Sequence, residues 1–232
     1  MFTVKLTVRA KIDIGQKETY ESVAQLIRLF IDQNTKTLKK EHYESKFSYY
    51  TFSQFSPFEE SGIYTKDSLY NLELKTIVDE FKDLKSYKGL ETDRLELVAV
   101  SATKLYYNPK GHLISKTPVF LRTKKIEDEE YLRKVKEKIR ENILFRYVKS
   151  GKNSNDDLEY LRKNVVEDIK VDFKVVTIPF KRKQISNDRY LIYHCINLSV
   201  DFADNEAAKE VEKLIYSSGL GMLTSNGFGY ME

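Results

Sequence analysis

Over the first strand-length of the chain, apolar and polar residues alternate. Phe2, Val4, Leu6 and Val8 fall on one face, and Thr3, Lys5, Thr7 and Arg9 on the other. That period of two predicts a strand with one buried face. From residue 19 to 34 the period lengthens, with Val23, Leu26, Ile27, Phe30 and Ile31 at helical spacing. Strands are predicted near 47–55 and 68–76, joined by a turn containing Pro57 and Gly62. A shorter helix over 77–86 ends before Gly89. Then "RLELVAVSATKLYY" reads as a long strand whose turn at "NPKGH" leads into "LISKTPVFLR". The order is β-α-β-β-α-β, the ferredoxin-like pattern.

The pattern then recurs. A strand over 117–122 precedes a long helix over 128–149, with Leu132, Val135, Ile139, Ile143 and Tyr147 along one stripe. A second helical piece starting near Asn155 reads as an insertion. Strands over 169–180 and 190–202 follow. The last helix has Asp204 as its expected N-cap and carries Ala207, Val211, Leu214 and Ile215, and Gly219 suits its C-terminal end. A glycine-rich loop and a short final strand close the unit. The expected fold class is therefore α+β: two tandem ferredoxin-like (βαββαβ) domains, 1–115 and 116–232, with a C-terminal glycine-rich loop.

Composition changes this picture in two places. The single cysteine, Cys195, excludes an intramolecular disulfide and suits a reducing cytoplasm. No apolar run reaches membrane-spanning length, so no membrane partner is expected. The net charge of +4 is modest, but its distribution is uneven. Arg133, Lys134, Lys136, Lys138, Arg140, Arg146 and Lys149 crowd one helix, and Arg122, Lys124, Lys125 and Lys181, Arg182, Lys183 form further clusters. With 16 Tyr and 13 Phe in the chain, basic groups near aromatic rings suit a nucleic acid, through phosphate neutralisation and base stacking. The competing reading is a solvated helix face.

The ending "SSGLGMLTSNGFGYME" holds Gly219, Gly221, Gly227 and Gly229, four of the nine glycines. It contains no Lys, which a Walker-type phosphate loop needs. A dinucleotide fingerprint needs a strand before it and a helix after it, the reverse of the order here. Instead "GLGMLTSNGFGYME" resembles the C-terminal glycine-rich motif of the repeat-associated RNA-binding (RAMP) superfamily of CRISPR systems. More narrowly, it is similar to that of the endoribonucleases that cut precursor CRISPR RNA within repeats. "ENILFRYVKSGK" also resembles the basic helix end that precedes the insertion in those proteins.

The resemblance implies a metal-independent cleavage with no cofactor. The RNA's own 2′-hydroxyl attacks the adjacent phosphorus, leaving a 2′,3′-cyclic phosphate and a 5′-hydroxyl. A histidine near neutrality can move the proton, and a lysine can offset charge on the phosphoryl oxygens. Of three histidines, His194 shares a strand face with Ile192, Ile196, Leu198 and Val200 and reads as a core residue. His112 follows "NPKG" and reads as a solvated turn residue. His42 has the family's catalytic position, after the first helix and before the second strand, and Lys46 is the matching lysine. The tyrosine that some members carry on the first helix is missing: "QLIRLF" has Arg28 there, and Tyr20 lies too early. Gly219, Gly221, Ser225, Asn226, Gly227, Gly229, Arg28, Lys39, Lys40, Lys181, Arg182 and Lys183 are the expected RNA-binding residues, with the loop's N–H groups available to phosphates as an anion nest. The expected partners are CRISPR repeat RNA and other CRISPR effector-complex subunits, the protein itself being a monomer or homodimer. The alternative is a non-catalytic RNA-binding subunit of such a complex.

Overall fold

The computed structural model describes residues 1–37, 48–83, 87, 89–121, 128–151, 158–180 and 189–232. Its first sheet is built on β1 (Phe2–Ala10), whose alternation buries Val4, Leu6 and Val8. The sheet order is β3 (Tyr50–Phe52), β5 (Leu69–Thr76), β1, β6 (Leu95–Lys104), and every neighbouring pair is antiparallel. Helix α1 (Gln16–Asn34) buries Val23, Leu26, Ile27, Phe30 and Ile31, the stripe its periodicity predicts, in the same core. A two-residue ribbon of β2 (Ile14–Gly15) and β4 (Ile63–Tyr64) flanks it, a pairing that no periodicity could announce.

The helix expected over 77–86 is instead a single 3₁₀ turn, Glu80–Asp83, within the described residues. Tertiary contacts account for it. Phe81 stacks on Phe30 with ring centroids 5.7 Å apart, while the Glu80 carboxylate accepts the N–H groups of Lys36 and Thr37 just past α1. The turn thus fixes the direction in which the chain leaves that helix.

The second sheet centres on β10 (Arg189–Phe202), with β9 (Val166–Phe180) along one edge. On the other edge β7 (His112–Ile114) and β8 (Val119–Phe120) lie end to end, so the single strand expected from "LISKTPVFLR" is broken. The break contains Pro118, which has no N–H to give a ladder. The expected final strand is reduced to a bridge between Ser115 and Met231, and a second bridge, Phe120 with Met222, falls within the glycine-rich loop. The positive φ of Gly229 interrupts the strand's extended backbone.

Helices α2 (Glu129–Lys149), α3 (Leu158–Asn164) and α4 (Glu206–Ser218) pack on this second half. The N-cap of α4 is Asn205, not Asp204: the Asn205 side chain accepts from Ala208 N–H, and Asp204 is drawn to Lys209 at 3.2 Å. Besides a small cluster that unites Tyr20 with Cys195 and Phe228, two large hydrophobic clusters form, one per half. The crossing between them, 105–111, is clasped by the buried carboxylate of Glu212, which accepts from Tyr107 Oη at 2.5 Å and from the N–H groups of Lys110 and Gly111. Because β7 pairs with β10, the second sheet begins before residue 115. Among the described residues, no helix is long and apolar enough to cross a membrane.

Candidate functional site

The C-terminal glycine-rich loop is pressed between the two halves. Beyond Gly219, which ends α4 at φ 76°, the chain passes Leu223 in the left-handed region and forms a 3₁₀ turn, Thr224–Asn226. The four glycines are buried, and each is demanded by a close neighbour within the protein. A Cβ at Gly229 would lie 1.8 Å from the Leu220 carbonyl oxygen. At Gly227 it would strike the Phe52 ring, at Gly219 Thr51, and at Gly221 Val119. Their N–H groups are also used internally: Gly219 donates to Ile215 O, Gly221 to Asn142 Oδ1, Gly227 to Thr224 O and Gly229 to Pro118 O. The loop therefore reaches outward through its 3₁₀ turn, where Ser225 and Asn226 are half-exposed, rather than through glycine N–H groups.

Arg146 holds the loop from beneath. Sequence places it in a run of exposed basic residues, but its guanidinium is buried and donates to Ser218 O at 3.0 Å and Gly221 O at 2.6 Å, with Thr224 Oγ1 at 3.4 Å. Burial pulls its pKa down to about 9, which leaves it charged at neutral pH. Its neighbours Lys138 and Lys149 face solvent, whereas Arg133 and Lys134 sit in exposed i,i+4 pairs with Glu137 and Glu130. Periodicity does separate these fates: Arg146 lies three residues past Ile143 and seven past Ile139, on the buried stripe, whereas Arg133, Lys134, Lys138 and Lys149 fall off it.

Tyr20 also serves the loop. Its ring stacks on Phe228 with centroids 4.9 Å apart, its hydroxyl is held by Gln54, and burial pushes its pKa up. The end of the loop packs on a second buried cation, Lys75, whose Nζ donates to Met231 O at 3.1 Å. That ammonium lies 3.6 Å from the Tyr216 ring centroid and 4.2 Å from that of Tyr230.

On the solvent side the structure joins two of the expected RNA-binding residues. Arg28, exposed on α1, donates from Nη2 to Asn226 Oδ1 at 2.8 Å, across 198 positions of sequence. Next to this pair lie the hydroxyls of Ser48 and Tyr50, while Thr51, the next residue of β3, turns to the opposite face, against Gly219. Ser48 Oγ, Tyr50 Oη and Thr51 Oγ1 are buried side-chain atoms without a hydrogen-bond partner among the described residues. Burial pushes the Tyr50 hydroxyl up to about 12, with Arg28 pulling the other way, and Ser48 and Ser225 face it without a bond of ordinary geometry. In sequence, Ser48 directly follows the segment that carries His42. His42, Lys46, Lys39 and Lys40 themselves lie outside the described residues, as do Lys181, Arg182 and Lys183.

The other two histidines differ. His194 sits half-buried on the β10 face that carries Ile196, Leu198 and Val200. His112 is not a plain turn residue: it opens β7, and its Nδ1 is paired with Asp201 across the strands.

Two antiparallel sheets packed with helices, with a C-terminal glycine-rich loop between the halves, define a mixed α/β protein. Residues 104–232, more than half of the chain, match the family described as "CRISPR associated protein Cas6, C-terminal". The chain belongs to the Cas6 family. A search of curated proteins by sequence finds no match. Among solved structures, the fold is similar to one described as "CRISPR associated protein Cas6", at 20% identity and TM-score 0.62, covering 100% of this chain and 98% of that one. It is similar also to "An RAMP protein binding different RNA substrates", at 15% identity and TM-score 0.65, covering 100% and 99%. A third is a Cas6 product complex, at 16% identity and TM-score 0.60, covering 99% and 98%.

Proposed function

We propose that this chain is a metal-independent endoribonuclease that cuts precursor CRISPR RNA within its repeats to give guide RNAs. The observation that carries this reading is membership of the Cas6 family through the half of the chain that holds the glycine-rich loop. The chemistry follows from RNA itself. His42 takes the proton of the 2′-hydroxyl or supplies one to the leaving 5′-oxygen, and Lys46 stabilises the charge gathering on the phosphoryl oxygens. Ser225, Asn226 and Arg28 bind the RNA backbone where the 3₁₀ turn meets α1, and Lys39, Lys40 and 181–183 add phosphate contacts. The glycines contribute by letting the loop hold its place between the halves, so that this turn is presented in one position.

The same reading takes the architecture as two tandem ferredoxin-like domains. The order β6–β1–β5–β3, antiparallel throughout, supports it for the first half. In the second, the order β9–β10–(β7, β8), with the C-terminal bridges outermost, supports it in turn. We place the division in 105–111, a few residues before 115/116.

The decisive experiment incubates the protein with repeat RNA in EDTA, beside a substrate carrying a single 2′-deoxy substitution upstream of the scissile phosphate. The natural RNA is expected to be cut to a cyclic phosphate and a 5′-hydroxyl, and the deoxy RNA to be bound and left whole. His42→Ala is expected to bind RNA while cutting about 10²–10⁴-fold more slowly. Cleavage of the deoxy RNA at the normal site would overturn the mechanism. Binding without cleavage by the wild type would favour the non-catalytic RNA-binding subunit.

A further inference from the structure

Away from the loop, a cavity of about 570 Å³ opens where α2, α3, the start of β9 and the N-cap of α4 meet. Its size is within the usual range for a small-molecule or nucleotide pocket. Arg140, Arg162 and Lys163 line it, against the one carboxylate of Glu167. None of the three cations is firmly engaged. Arg140 donates to Glu167 O at 3.4 Å, Arg162 lies 3.9 Å from Glu141, and Lys163 lies 3.5 Å from Glu159, the last two in exposed pairs. Exposed pairs of this kind hold their charges weakly. The amides in the wall are committed elsewhere: Asn164 donates to Tyr160 O, and Asn205 both donates to Asn164 O and caps α4. These bonds tie α3 to α4 and shape the wall. The remaining feature is Tyr160, whose ring is 46% exposed at the edge of the cavity. A half-exposed aromatic beside three loosely held cations is the combination that takes a base and its phosphates.

We propose that this cavity is a second RNA-binding site, holding one nucleotide of the RNA outside the segment bound at the glycine-rich loop. The base stacks on Tyr160, and the flanking phosphates lie against Arg140, Arg162 and Lys163. The proposal rests on the reading of the chain as an RNA-processing protein, and adds a contact that the reaction itself does not require. The two regions are linked by α2. Arg146, which grips the loop from beneath, is six residues from Arg140, about 9 Å along the helix axis, so one helix supports both regions. An acidic peptide would meet the same cations but gain little from the tyrosine.

The test uses the full chain and repeat RNA carrying its flanking nucleotides, with binding followed by anisotropy over a range of salt. Tyr160→Ala is expected to weaken binding about tenfold, while Tyr160→Phe keeps wild-type affinity. The pair Arg140→Ala with Arg162→Ala is expected to flatten the dependence of log K on log salt by about one to two units. Melting curves accompany each variant, and Tyr160→Ala, which removes a largely exposed ring, decides the matter if the double variant fails to fold. Should the wild type bind and cut this RNA while Tyr160→Ala matches its affinity, the cavity proposal alone falls. Should the wild type neither bind nor cut it, the functional reading falls and takes the cavity with it. Polyglutamate binding that is lost in the double variant, with RNA affinity unchanged, would overturn the proposal in favour of an acidic partner.

Discussion

Two arginines touch the C-terminal loop from different helices, and they do opposite things. Arg146 on α2 is buried and spends its donors on loop carbonyls and a hydroxyl. Arg28 on α1 is exposed and makes a single hydrogen bond among the described residues, to Asn226. A buried guanidinium without acceptors would be prohibitively costly, so Arg146 and the loop must be placed together. An exposed guanidinium with one neutral partner keeps most of its donors for something else. The contrast separates the part of the loop that holds the protein together from the part that can hold a ligand. The glycines fall in the first part, and Ser225 and Asn226 in the second.

If that division is right, the largest effect will come from Gly229→Ala. Its methyl would fall on the Leu220 carbonyl at a backbone φ of +66°, so it meets both a clash and conformational strain. A loss of at least about 4 kcal/mol is expected, roughly 8–16 °C in melting temperature for a chain of this size. A variant that melts like the wild type would show that the loop does not lie as described. Arg146→Met comes next. It keeps the packing but orphans the carbonyls of Ser218 and Gly221, for a loss of about 3 kcal/mol, or roughly 6–12 °C. Arg146→Lys should recover only part of this, since a single ammonium lacks the planar fork that serves both acceptors.

These two sites also show what the sequence could and could not reveal. The alternation of β1, the stripe of α1 and the long helix α2 were all readable, because burial imposes a period on them. The glycine cluster was readable as a place of close approach, but not what approaches: Phe52, Thr51, Val119 and Leu220 come from distant or irregular parts of the chain. Arg146 was counted as one basic residue among seven, although its place three past Ile143 on the apolar stripe signalled burial; its acceptors, being backbone carbonyls, carry no sequence signal. The 3₁₀ turn at Glu80–Asp83 failed the helical expectation for a similar reason: the carboxylate of Glu80 and the ring of Phe81 answer to α1 rather than to their own neighbours. Of the expected RNA-binding set, the fold joins Arg28 to Asn226, a pairing invisible at 198 residues of separation.

Arg28→Ala should therefore behave unlike either loop variant. Its melting temperature is expected to stay close to the wild type, within about 0.5 kcal/mol, as for most surface changes. Affinity for repeat RNA should fall about fivefold to tenfold, and the salt dependence should lose about one phosphate's worth of slope. A protein that melts much earlier, with unchanged salt slope, would erase the distinction between the two arginines and make both of them structural.

The last effect concerns the third cation at this loop, and it sharpens the contrast by pH. Lys75 is as buried as Arg146, but an ammonium gives up its proton far more readily than a guanidinium. Desolvation brings the Lys75 pKa down to about 8, against the upward pull of Glu73 and Glu232. In the unfolded chain the same group keeps the ordinary lysine value of about 10.4. Between these two values the unfolded state binds more protons than the folded one, so stability drawn from this residue rises as pH increases. Below pH 8 both states are protonated and the slope vanishes. The measurement is the gap in melting temperature between the wild type and Lys75→Met across pH 7 to 10. It should widen in the wild type's favour above pH 8, while Arg28→Ala shows no such trend. Above about pH 10 the gap should level off, because the lysine is then deprotonated in both states; the loss from Tyr216 and Tyr230, whose raised pKa values hold protons that the unfolded chain releases, falls on both proteins alike. A gap that stays constant through pH 8 to 10 would mean that Lys75 reaches water and that this end of the loop is open.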